Sequence, residues 1–101
     1  MNVGLLLLHV RIFGCKSLKE KRGHLKPYIN RIQNRFNVSI SEIGLNDDWE
    51  ESLVAIACVS NDQAYTNRML DKILDFSEIN FMIIEILDQK MEIIQFNERN
   101  L

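Results

Sequence analysis

The stretch VGLLLLHVRIF, Val3 to Phe13, is apolar at both odd and even positions over its first half and short of turn residues until Gly14. Side chains alternate between the two faces of a sheet, so a strand apolar at both parities belongs in the middle of one. A chain built around such a strand needs a layer of helices to cover it. At 101 residues and 47% hydrophobic, it has material for one core. A single domain over residues 1–96 is expected, with NERNL, 97–101, as a frayed tail.

The apolar opening carries no basic residue ahead of it and no small-residue cleavage site after it, so it reads as a buried strand rather than a signal peptide. No other apolar run approaches the ~18–20 residues that cross a bilayer, which makes a cytoplasmic location with no membrane partner the expectation. Cys15 and Cys58 form no CxxC pair and are expected as free thiols.

After the first strand, Ser17 and Glu20 fit the S-x-x-E capping box, and a helix is expected from Leu18. Leu18, Leu25, Ile29, Ile32 and Phe36 form its apolar stripe, flanked by Lys19, Arg22 and Lys26 on one side and Lys21, Arg31 and Arg35 on the other. Pro27 predicts a bend near Gly23 in one continuous helix. Val38 to Gly44 reads as a half-exposed strand, LNDDWEE as a solvated turn from which Trp49 can pack back on the sheet, and SLVAIACVS, 52–60, as a third strand apolar on both faces. Ser60 and Gln63 suggest a second capping box, with Tyr65, Met69, Ile73 and Phe76 as the stripe of a second helix reaching about Ile79. Phe81 to Phe96 favours one long strand, bulged at Asp88, Gln89 and Lys90. The order βαββαβ predicts the ferredoxin-like α+β plan: a four-stranded antiparallel sheet with two helices on one face.

Three stretches, SLKEKR at 17–22, NRFNVSISEIG at 34–44 and VSND at 59–62, resemble in order and spacing the YlxP-like family of small bacterial proteins, a domain of unknown function. The resemblance runs from about Val3 to Ile94 and implies the same fold. Genes of that family commonly lie among translation and ribosome-maturation genes, beside ribosome-binding factor A, which implies an RNA-linked role. It supplies no active site.

Charge is the strongest functional feature. Residues 11–35 hold eight basic side chains against Glu20 alone, a net +7, while the rest of the chain sums to -9. Such a dipole steers anionic partners to one side of a molecule. Lys16, Lys19, Lys21, Arg22, Lys26, Arg31 and Arg35 are therefore the candidate contacts to the phosphate backbone of ribosomal or other structured RNA, against the plain alternative of a solvated helix face. Base reading by the sheet is not expected, because HVRIF and AIACVS lack the aromatic platforms of an RRM, and DNA is not an expected partner.

No paired carboxylates, activated nucleophile or metal-ligand spacing appears, so no enzyme activity and no cofactor are expected. The loop GCKS could hold an anion, as acylphosphatases do on a similar fold, but it lacks their glycine, arginine and valine pattern. His9, His24, Cys15 and Cys58 match no zinc motif; the two cysteines are expected near the C-terminal ends of neighbouring parallel strands one and three. DDWEE lacks the spaced ligands of a calcium loop. If the helices cover Leu6, Leu8, Val10 and Ile12, then Leu5 and Leu7 face the other way, and this apolar second face predicts a homodimer. The alternative function is a dimeric ACT-like regulatory module that binds a small metabolite.

Overall fold

The computed structural model describes residues 1–101. Its elements are β1 (Asn2–Ile12), α1 (Leu18–Arg35), β2 (Ser39–Gly44), β3 (Glu51–Ser60), α2 (Gln63–Asn80) and β4 (Ile84–Gln95). The strands form one sheet in the order β2-β3-β1-β4, every neighbouring pair antiparallel. With two helices packed on it, this is the ferredoxin-like α+β fold. As the doubly apolar sequence requires, β1 is central, between β3 and β4.

The antiparallel β1–β3 pairing corrects the expected cysteine arrangement. Gly4 lies opposite Cys58, at the start of β1, while Cys15 follows its far end. The two buried thiols sit at opposite ends of the sheet, and burial raises the pKa of each. It is β1 and β2 that run parallel, separated by β3.

One face of the sheet makes the core. Leu6, Leu8, Val10 and Ile12 of β1 pack with Val54 and Ile56 of β3 beneath Leu25, Tyr28 and Ile32 of α1 and Leu70, Ile73 and Phe76 of α2. Tyr28 closes the seam between the helices: its hydroxyl shares a 2.8 Å hydrogen bond with Ser77 Oγ, and its ring meets Phe81 edge-on. On the β4 side the register shifts between His9 and Val10, so the strand is continuous but bulged. The bulge separates the buried Ile84 end from the exposed Asp88–Lys90 segment.

The helix boundaries follow from their caps, with two corrections. Ser17 Oγ accepts from the Glu20 amide, and the Glu20 carboxylate returns to the Lys16 amide at 2.7 Å, so α1 begins where its capping box places it and runs unbroken through Pro27. The cap of α2 is Asp62, which accepts from the amides of Ala64 and Tyr65; Ser60 instead bonds Asp62 and Thr66. The buried stripe of α2 is accordingly Thr66, Leu70, Ile73, Phe76 and Ser77, and Tyr65 is left exposed. At the other end of the chain, Glu98 pairs with the Met1 amino group at 2.7 Å, so the exposed tail is tied at that point rather than wholly free.

The buried set on α1 is Lys21, Leu25, Tyr28 and Ile32, so the core stripe includes a lysine. Lys21 is 1% exposed. Its Nζ donates to the carbonyls of Leu45 and Asp48, each at 2.7 Å, and pairs with Glu42 Oε2 at 3.1 Å. Those three contacts match the three donors of an ammonium. Glu42 Oε2 also accepts from Ser52 Oγ at 2.6 Å, and Asp48 Oδ1 accepts from the amides of Glu50 and Glu51, which hold its carboxyl below the usual range. Leu45 is the one non-glycine residue with positive φ, at 57°, a backbone state that costs about 1–2 kcal/mol. Its carbonyl is held by Lys21.

Two stability experiments test this packing. A Cβ on Gly4 would lie 2.4 Å from Thr66 Cγ2 and 3.1 Å from Cys58 Sγ, both on buried residues, so Gly4→Ala should destabilise by about 1–3 kcal/mol in denaturant titration. Lys21→Met should cost about 3 kcal/mol, because it leaves the part-buried Glu42 carboxylate without its cation and the Asp48 carbonyl without its donor, whereas Lys19→Met on the exposed flank should stay within ~0.5 kcal/mol. Equal effects at positions 19 and 21 would refute the clamp.

Candidate nucleic-acid interface

A helix repeats every 3.6 residues, so Lys19, Arg22 and Lys26, three and four apart, lie along one outer flank of α1. All three are exposed, as is Lys16 just before the helix. None of the four has a carboxylate within ion-pair distance; the lysine and arginine ion pairs of the molecule are Lys21–Glu42 and Arg11–Glu50. Lys16 contributes only its side chain, because Glu20 occupies its amide. That contact also places a carboxylate in the GCKS loop, where an anion would otherwise bind.

Lys21 does not belong to this surface. Its ammonium is consumed by the clamp to Leu45, Asp48 and Glu42, which corrects its place among the candidate contacts.

Arg31 and Arg35 lie on the other flank, toward α2, and are held by aromatic rings. The Arg31 guanidinium sits over Phe81 at 4.9 Å and Phe76 at 5.4 Å; that of Arg35 sits over Phe76 at 5.0 Å and Phe36 at 5.9 Å. The rings cover one face of each guanidinium. The seven candidate residues are thus divided among three environments: an outer flank with Lys16, Lys19, Arg22 and Lys26, an inner flank with Arg31 and Arg35, and the buried Lys21.

The inner flank has neighbours that reading along the sequence did not find. The helices run antiparallel, so the C-terminal end of α1 meets the N-terminal end of α2, and Arg35 shares a groove of about 240 Å³ with Tyr65, Arg68 and Lys72. The signal was present in the spacing: Tyr65, Arg68 and Lys72 are three and four apart and share one face of α2.

The uncovered face of the sheet presents Val3, Leu5 and Leu7 of β1 beside Leu53, Ala55, Ala57 and Val59 of β3, as the alternation required. Leu5 is 37% exposed and Leu7 half-buried. The apolar band is bordered by charge, since Leu5, Leu7 and His9 lie opposite Glu92, Lys90 and Asp88 of β4. His9 Nε2 is 2.6 Å from Glu51 Oε1 on this face, while His24 is exposed on α1, so the histidines and cysteines are dispersed. Trp49 does not pack back on the sheet; it is 56% exposed beside the acidic cluster Asp47, Asp48, Glu50 and Glu51, a pole opposite in sign to the basic flank. No helix is long and apolar enough to cross a membrane.

Comparison with known proteins agrees with the resemblance of the three motifs. Over 65 residues, 64% of this chain and 71% of the other, the sequence is 48% identical to the uncharacterized protein YlxP of Bacillus subtilis (strain 168). The de novo designed protein Foldit4 aligns over 96% of this chain and all of its own, with 14% sequence identity and a TM-score of 0.49. A family model described as "Protein of unknown function (DUF503)" matches residues 3–91, and the chain therefore belongs to that family.

Proposed function

We propose that this protein is a non-enzymatic binder of structured RNA, ribosomal RNA foremost, whose phosphates meet Lys16, Lys19, Arg22 and Lys26 on the outer flank of α1. The observation that carries the reading is that all four are exposed and none is paired with an acid. A helix face that serves only to solvate usually mixes signs in i,i+4 pairs, and here Glu20 is turned away into its own cap. Binding of this kind draws its affinity largely from counterion release and positions the protein without reading bases. The choice of ribosomal RNA rests on the gene surroundings that the family resemblance implies.

We further propose that a second copy of the chain covers the open sheet face, with Leu5 and Leu7 at its centre. The row Asp88, Lys90 and Glu92 bordering that face carries both signs at alternate positions. A two-fold copy shifted by one such position sets Lys90 of each protomer against an acid of the other.

Replacing Lys19, Arg22 and Lys26 together by Gln should weaken binding to all structured RNAs alike and flatten the slope of log affinity against log salt by up to about 3 units. Arg99→Gln on the exposed tail serves as the control, with circular dichroism to verify the helix. Unchanged affinity and slope in the triple variant would reduce the flank to a solvated surface. For the dimer, sedimentation should show association at high micromolar concentration that Leu7→Glu weakens, because the charge would be buried without a partner. A wild-type protein that remains monomeric, or a Leu7→Glu variant that dimerises normally, would refute it.

A further inference from the structure

We propose that the groove between the C-terminal end of α1 and the N-terminal end of α2 binds an unpaired stretch of RNA, with phosphates on Arg35, Arg68 and Lys72 and a base stacked on Tyr65. The inference rests on the RNA reading of the outer flank, but it concerns a separate surface and a different form of the polymer.

Three cations and no acid line the groove. Asp71 and Asp75 follow along α2, yet neither pairs with Arg68 or Lys72, and Asp71 instead accepts a 3.4 Å hydrogen bond from Asn67. Like charges gathered without counterions repel one another in the free protein and favour an anion between them. The α2 amides do not contribute, since Asp62 already fills that position. Arg35 is ordered in advance by Phe36 and Phe76, which leaves the guanidinium edge for a bidentate phosphate contact.

Tyr65 identifies the form of RNA. It lines the groove, 47% exposed, and the buried stripe of α2 makes no use of it. A cationic groove with a free aromatic ring is the arrangement that holds single strands, because every unstacked base offers a face to the ring. Bases of a duplex remain stacked on one another and cannot reach it.

The test uses the full chain with two probes, an end-labelled 12-nucleotide oligouridylate and a 12-base-pair RNA duplex, titrated by fluorescence anisotropy at several salt concentrations. Arg68→Gln with Lys72→Gln should flatten the single-strand salt slope by about 1.4 units and leave the duplex slope unchanged. Tyr65→Ala should weaken the single strand about 5- to 150-fold, the equivalent of ~1–3 kcal/mol for one stacked base, while Tyr65→Phe should retain it. An unaltered single-strand slope in the double variant overturns the proposal, as does a Tyr65→Ala loss that is absent or equal on both probes. If the wild-type protein binds the duplex but not the single strand, the groove proposal fails and the outer-flank reading stands. If single-strand binding is lost only with the groove variants and the duplex does not bind at all, the groove proposal stands and the outer-flank reading fails. Binding to neither probe removes both.

Discussion

An ammonium group enclosed by protein is tolerated only when every proton finds an acceptor, and Lys21 meets that condition with two carbonyls and a carboxylate. The contacts come from the end of β2 and the turn that follows it, so one side chain ties the first turn of α1 to the β2–β3 connection. The turn's own hydrogen bonds, from the Asp48 amide to the Leu45 carbonyl and from the Glu50 and Glu51 amides to Asp48 Oδ1, are local, and Lys21 joins it to α1. The turn carries a left-handed Leu45 and several acids, and its side chains, Trp49 included, are largely exposed. Removing the lysine would leave Glu42 with Ser52 and Asn46 as its remaining partners, neither of them charged. The clamp also sets the rotation of α1 about its axis: with Lys21, Leu25, Tyr28 and Ile32 turned inward, Lys19, Arg22 and Lys26 must turn outward.

Where local pattern and burial agree, the fold is legible from the chain. The doubly apolar Val3–Phe13 run marks the central strand, Ser17 and Glu20 mark the start of α1, and the polar residues near Asp88 mark the bulge in β4. Legibility fails where a polar residue occupies an apolar position. Lys21 lies on the buried stripe, yet its charge suggests the flank, and only the distant carbonyls of Leu45 and Asp48 make its burial favourable. Thr66 and Ser77 are buried on α2 for a similar reason, each satisfied by a hydrogen bond, so the buried stripe starts from Thr66 and Leu70 where the apolar spacing points to Tyr65 and Met69. The groove at Arg35 joins residues thirty and more positions apart. Its existence depends on the antiparallel packing of the helices, which spacing along either one does not specify.

The charge asymmetry of the chain becomes spatial in the fold. The acidic cluster around Trp49 lies beside the N-terminal end of α1, where Lys21 anchors its turn, whereas Arg35, Arg68 and Lys72 gather at the helix's far end. An anionic polymer approaching this surface meets a gradient rather than a uniform patch. Repulsion at the acidic pole would favour one orientation of the protein on such a polymer, independent of any base contact.

The strand order places a condition on how the molecule is made. β1, the first of the sheet's four strands to be synthesised, has both its partners still to come, and its pairing with β4 sets Asn2 opposite Gln95. Until that last strand emerges, the most apolar segment of the chain has an open edge, and the contacts that close it are the most distant in sequence and the slowest to find. The helices and the β2–β3 hairpin can organise beforehand, because their neighbours are local. Synthesis from the N-terminus therefore delays completion of the sheet, and a nascent chain stalled within β4 would expose LLLL to whatever strand it next encounters.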